Sequence, residues 1–128
     1  MIHEKLKIAL VTTSMGMITS LSSENQLTTG LALIESVSDN HIRLFTYLEN
    51  VTAAAMNVKH NMVLTIQDAH APMFIAINGV AKVVDDADMV NKLWDEQKEN
   101  WFAVKPTDRH VFLINLEVVE TFEWKDDN

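Results

Sequence analysis

Between residues 74 and 102 the apolar and polar positions change period once. Phe74, Ile75, Ile77, Val80 and Val83 keep close to the two-residue alternation of a strand, interrupted by Asn78 and Gly79. After Asp85 and Asp86, Met89, Val90, Leu93, Trp94, Gln97 and Trp101 recur at three- and four-residue intervals, which puts them on one face of a helix. Asp95, Glu96, Lys98 and Glu99 take the other face. Asp85 or Asp86 can accept hydrogen bonds from the first free amides of that helix, and their charge suits its positive end. Gly79 within a strand predicts a bulge or a close backbone approach, since it has no side chain to pack. The stretch therefore predicts a strand, a bend and one amphipathic helix.

The remaining pattern supplies the other elements. Ile2, Leu6, Ala9, Leu10 and Thr13 share one side of a helical wheel and predict a short N-terminal helix. A strand follows over 15–21, turn residues over 22–25, and a second strand over 27–37 that contains Gly30. Ser38, Asp39 and Asn40 predict a tight turn into a third strand over 41–48. The alanine-rich run 50–61 predicts a second helix capped by Asn50 or Thr52. A fourth strand is expected over 62–68, and His70, Ala71 and Pro72 turn into the fifth. After a loop around Pro106, a last strand over 111–124 is too long to be straight and should bend near 116–118. The order is α-β-β-β-α-β-β-α-β. Short hairpins join most strands, so the sheet is expected to be antiparallel. Closing six strands into a barrel removes their exposed edges. The fold class expected is mainly β with peripheral helices, as one domain over 1–128.

Composition narrows the function more than the fold. The 128 residues are 48% hydrophobic and 22% charged, as in an ordinary globular domain. A net charge of −8, with ten scattered cations, argues against nucleic acid or an anionic membrane as partner. The absence of cysteine removes disulfides, thiolate metal sites and a cysteine nucleophile, and fits a cytoplasmic setting. The apolar N-terminal run is interrupted by Thr12, Thr13 and Ser14 and lacks a cleavage pattern, so no signal peptide is expected. The five histidines show no metal-ligand spacing and read as turn and surface residues. No Ser-His-Asp arrangement or phosphate-binding glycine loop is present, so no catalytic side chain and no metal site are assigned.

Three segments in this order carry a family resemblance: GMITSLSSENQLTTG, then LFTYLENVTAAAM followed by VLTI, then FIAINGVAKVVDDADMVNKLWDEQKENWF. With the terminal FEW they resemble the FMN-binding split-barrel family related to pyridoxamine 5′-phosphate oxidase, in particular its general-stress-protein branch. The resemblance implies a six-stranded split barrel that forms a homodimer and holds FMN where the subunits meet. It also implies redox chemistry carried by the flavin rather than by side chains. Residues placed at the flavin by it are Thr28, Thr29, Gly30, Thr46, Tyr47, Asn50 and Thr52, with Trp101 and Trp124 for stacking. Trp94, Trp101 and Trp124 have packing as the competing reading. A few split barrels bind haem, for which His60 and His110 are the candidate ligands.

Against the family pattern, Gly30 stands where an arginine grips the flavin phosphate, and Asn50, Val51 and Thr52 stand in place of Ser-x-Lys. One charge-assisted hydrogen bond is worth roughly 1.5–3 kcal/mol, so losing two weakens phosphate binding by about 3–6 kcal/mol. The amides that open the second helix remain as anion donors. Two functions from different classes follow. One is an FMN-binding protein, either a flavin-dependent oxidoreductase or a flavin-binding stress protein. The other is a split-barrel dimer that has lost flavin and serves as a binding or structural module.

Overall fold

The computed structural model describes residues 2–21, 25–49, 51, 56, 59–68 and 70–126. Helix α1 (Glu4–Thr13) precedes strands β1 (Met15–Leu21), β2 (Leu27–Ser38), β3 (His41–Tyr47), β4 (His60–Gln67) and β5 (Met73–Val83). Helices α2 (Ala87–Leu93) and α3 (Glu96–Phe102) then lead to β6 (Val111–Lys125). The six strands close into a barrel in the order β1-β2-β3-β6-β5-β4, with every neighbouring pair antiparallel. The expected fold class is the observed one.

Alternation fills the barrel. Ile18, Ile42, Leu44, Leu64, Ile75, Ile77, Ile114 and Leu116 point inward and are fully or almost fully buried. Leu6, Ala9 and Leu10 of α1 join this core, as the wheel predicted. His3 caps α1: its Nδ1 accepts from the Leu6 N–H at 3.2 Å, which leaves the ring proton on Nε2 to face Glu123 Oε1 at 3.0 Å. The histidine that read as a surface residue thus ties the first helix to the last strand.

Two bulges shape the wall. Between β2 and β3 the register shifts at Ile34/Ser36, which leaves Glu35 unpaired. Between β5 and β6 it shifts so that Asn78 faces Glu120 while Gly79 faces Val118, and Val119 is the extra residue. A Cβ on Gly79 would stand 2.5 Å from the Glu117 carbonyl oxygen. Close backbone approach, not a positive φ, is why glycine sits there. The strand continues through it, and the β6 side of this bulge, at Val119, lies just past the 116–118 span of the expected bend.

The segment 87–102 departs from expectation. It is two helices, not one. Asp86 Oδ1 accepts from the Met89 N–H at 3.1 Å to start α2, and Trp94 leaves helical geometry at ψ 133°. Asp95 then starts α3, its Oδ1 accepting from the Lys98 N–H at 3.2 Å. The break rotates the second half, so that Lys98, expected on the polar face, is buried and Trp101, expected on the apolar face, is 54% exposed. Trp94 does pack inward, edge-on to Phe45 at 5.4 Å between centroids. Of the expected helix over 50–61, most lies outside the described residues. Met56 is helical and buried, while His60 and Asn61 belong to β4, which starts two residues earlier than its apolar run.

Candidate functional site

The ligand residues expected from the sequence separate into three groups among the described residues, and Asn50 and Thr52 lie outside them. Thr28 and Thr29, near the start of β2, and Tyr47, at the end of β3, come together around a pocket of about 360 Å³, joined by Leu27, Leu48 and Glu49. They meet because β2 begins where β3 ends: the start of β2 is paired with β1, the β2–β3 ladder runs only from Ala32↔Thr46 to Ser38↔His41, and the first residues of β2 and the last of β3 lie at one rim. Thr28 Oγ1 donates to the Ser20 carbonyl at 3.3 Å, which leaves its lone pairs for a ligand donor.

Thr46 and Gly30 border this pocket without lining it. Thr46 is fully buried and its Oγ1 donates to the Leu31 carbonyl at 2.8 Å, a structural bond between neighbouring strands. A Cβ on Gly30 would meet Leu48 Cδ2 at 2.7 Å, the Tyr47 carbonyl oxygen at 2.8 Å and Thr46 Oγ1 at 3.0 Å. The space into which an arginine at position 30 would have to start is therefore filled.

Trp101 and Trp124 stand elsewhere. Trp101 lies exposed on α3, and Trp124 lies near the end of β6, 58% exposed and stacked on Phe122 at 6.2 Å with 26° between the rings. Asn50 and Thr52, with the amides expected to receive an anion, lie outside the described residues.

Sequence reasoning missed Glu49. It lies two residues past β3 and lines the pocket, and among the described residues no cation lines it. Tyr47 reports the same environment. Partial desolvation raises its hydroxyl pKa above the ordinary 10.0, the carboxylates of Asp108 and Glu49 raise it further, and Arg109 opposes them. The hydroxyl therefore stays a neutral donor through the physiological range. Arg109 itself turns to another pocket, beside Asp85, Asp86 and Asp108, and its Nε donates to His110 Nε2 at 3.2 Å.

A second pocket, of about 410 Å³, crosses β1, β4, β5 and β6. It meets the first at Leu27 and is walled mainly by Leu21, Val63 and Val119, with Asn78 and Glu120 at the bulge. His60, opposite Ala81 on β4, and His110, whose ring packs edge-on to Tyr47 at 5.6 Å, are not part of either pocket. Among the described residues no cluster of three or more His, Cys, Asp or Glu is placed to hold a metal ion. No helix among them is long and apolar enough to cross a membrane.

With this geometry in place, the family model described as "Pyridoxamine 5'-phosphate oxidase like" matches residues 2–128. The chain belongs to that family. Solved structures agree on the fold of this pyridoxamine 5′-phosphate oxidase-like protein. It is similar to the general stress FMN/FAD binding protein of Xanthomonas citri at 22% identity and TM-score 0.69, covering 98% of this chain and 89% of that one. It is similar to a protein related to general stress protein 26 from Clostridium acetobutylicum at 12% identity and TM-score 0.68, covering 98% of each. A pyridoxamine 5′-phosphate oxidase-related, FMN binding protein of Nostoc punctiforme matches at 12% identity and TM-score 0.62, over 91% of this chain and 76% of that one. No curated protein matches.

The described residues of this pyridoxamine 5′-phosphate oxidase-like chain do not fit the phosphate of FMN. A dianion needs cations or clustered N–H donors. The pocket offers a carboxylate and hydroxyls, and Gly30 has no room for the missing guanidinium.

Proposed function

We propose that the protein works as a homodimer that binds flavin where two barrels meet. The observation that carries this reading is an uncovered apolar strip on the barrel's outer face. Paired rows run across it: Trp124 opposite Phe74, Phe122 opposite Ala76, Met17 opposite Thr65, Leu21 opposite Leu27. Phe74, Trp124, Leu21 and Leu27 are each more than half exposed, Leu27 at 74%. On the other outer side, Phe45, Leu33 and Leu113 are buried, and Trp94 lies over Phe45. No element among the described residues shields the strip in the same way. A contiguous apolar surface of this kind marks an interaction site, and the family resemblance implies a second copy as its occupant. The apolar pocket bounded by Leu21, Leu27 and Val119 opens within the strip, so a planar ring would lie at the seam.

The flavin would supply the redox chemistry of an oxidoreductase, and the chain would supply binding and orientation. A cytoplasmic, stress-related role agrees with the cysteine-free composition and with the names of the similar proteins.

A second reading, a split-barrel dimer without flavin that serves as a binding or structural module, is favoured by one specific observation, the presence of Glu49 and of no cation among the described residues that line the pocket with Thr28, Thr29 and Tyr47. Two measurements separate the readings. Light scattering at tens of micromolar (about that order, where an obligate interface is saturated) should give twice the monomer mass. Replacing Phe122 and Trp124 together with Glu should give a folded monomer. Added flavin should show quenched fluorescence with the dimer. A monomeric wild type overturns the homodimer, and a dimer that quenches no flavin leaves the non-flavin module.

A further inference from the structure

We infer that the pocket formed by Thr28, Thr29, Tyr47 and Glu49 takes an uncharged, hydroxyl-bearing chain and rejects a phosphate monoester, so that the flavin this barrel accepts is the unphosphorylated one. The inference rests on the flavin reading above and names the ligand class of that site.

The chemistry of the lining decides it. Among the described lining residues, Glu49 is a hydrogen-bond acceptor only, the Thr28 hydroxyl already donates to the Ser20 carbonyl and so offers lone pairs, and the neutral Tyr47 hydroxyl can donate to an uncharged hydroxyl as well. A polyol chain brings the donors that these acceptors lack. A phosphate brings more acceptors and a like charge.

Neighbouring charges reinforce the choice. Asp108 and Glu49 both act on Tyr47, against Arg109. That guanidinium turns to a pocket it shares with Asp85, Asp86 and Asp108. A side chain at position 30 would meet Leu48 Cδ2 and the Tyr47 carbonyl oxygen at its first atom, so this position supplies no cation without a shift of its neighbours. Next to this polar end, meeting it at Leu27, lies the larger apolar pocket walled by Leu21, Val63 and Val119. One apolar and one acceptor-rich compartment side by side match an amphipathic ligand with a flat apolar body and a neutral hydroxylated tail. Riboflavin has that form, and FMN differs from it only in the charged end.

The test is titration of the full-length dimer with riboflavin and with FMN, followed by quenching of flavin fluorescence at low fixed salt, for the wild type and for Glu49→Gln. Glu49 is exposed, so the variant is expected to fold, and circular dichroism checks that it does. The wild type should bind riboflavin about tenfold or more tightly than FMN, the low end of what one like-charge contact near a surface costs. Added salt should narrow the gap. In Glu49→Gln, FMN should gain several-fold while riboflavin changes little. FMN binding as tightly as riboflavin, or more tightly, overturns the inference and leaves the flavin reading standing. An unchanged ratio in folded Glu49→Gln overturns the role given to that carboxylate. Binding of neither flavin overturns the flavin reading and this inference with it.

Discussion

Lys98 Nζ lies 2.8 Å from Glu35 Oε2, with only 7% of the lysine side chain exposed. Glu35 is the residue that the β2 bulge leaves without a ladder partner, and Lys98 is the one buried residue of α3. Asp95 Oδ2 stands 3.1 Å from the same ammonium, which also lies 5.5 Å from the centre of the Phe45 ring. α3 is therefore fastened to the barrel by a buried charge rather than by a tryptophan.

Removing that charge should be expensive. Breaking a buried pair on one side costs roughly 3–5 kcal/mol, because the remaining ion is stranded away from water. Glu35 keeps 20% of its side chain exposed, so Lys98→Met is expected at the lower end of that range. Adding Glu35→Gln to Lys98→Met should recover much of the loss. Urea denaturation of the single and double variants checks this. A double variant no more stable than the single one would show that the pair is not the source.

The cluster also fixes a pH dependence at each end of the scale. Burial pulls the Lys98 pKa down, but its hydrogen bonds to Glu35 and Asp95 outweigh burial and hold it above the ordinary 10.5. A raised lysine stabilises the fold fully below its unfolded value, and that stability is lost as pH rises through the folded one. Burial likewise pushes Asp95 up, and the bonds from Lys98 bring it below 3.8. Its contribution is present above that value and lost as pH falls through the depressed one. Thermal melts should therefore show a loss above the ordinary lysine range that is absent from Lys98→Met, and a loss in acid that Lys98→Met reduces without abolishing, because the backbone N–H groups of residue 98 and Gln97 still bond Asp95.

The two caps should be separable by mutation. Asp86→Ala removes one capping bond and should cost about 1 kcal/mol. Asp85 makes no cap, so Asp85→Ala should stay within about 0.5 kcal/mol. Asp95→Ala loses both the cap and a contact with Lys98, and about 1–2 kcal/mol is expected for it. Denaturant midpoints in that order support the two-helix break at Trp94. Equal effects at Asp85 and Asp86 would contradict it.

Gly79→Ala should destabilise the barrel more than Gly30→Ala. At Gly79 the nearest obstacle is the Glu117 carbonyl oxygen at 2.5 Å, a backbone atom inside the β5–β6 ladder. At Gly30 it is Leu48 Cδ2 at 2.7 Å, a side-chain end that can turn, though the Tyr47 carbonyl at 2.8 Å limits the relief. Overpacking of this kind costs about 1–3 kcal/mol, and Gly79 belongs at the upper end. Gly30→Arg should lower the melting temperature without tightening FMN. Tighter FMN binding in a stable Gly30→Arg variant would show that the rim opens.

Much of the barrel was legible because its signals are local. Strand alternation at Ile75, Ile77, Leu64 and Leu44 reports which side chains face inward, and the turn at Asp39 and Asn40 needs only its own residues. Gly79 announced a close approach before its neighbour Glu117 was known. The order of elements and the spacing of the three family segments were enough to name the family. Even the missing cations at positions 30 and 52 are a property of the sequence.

What the sequence did not determine are the contacts made across the chain. The wheel drawn through 87–102 assumes an unbroken helix, and the break at Trp94 turns every later position, which inverts Lys98 and Trp101. Nothing local marks Glu35 as the partner of Lys98, since 63 positions separate them and a bulge brings them together. His3 is a surface histidine in the fold as in the sequence, but its bond to Glu123 could not be read from the chain. Glu49 becomes a pocket residue only because the start of β2 and the end of β3 lie at the same rim. Period and propensity act over a few residues and so can be read from the chain. The charge at a site is a sum over groups that only folding brings within a few ångströms, where Coulomb energy becomes decisive.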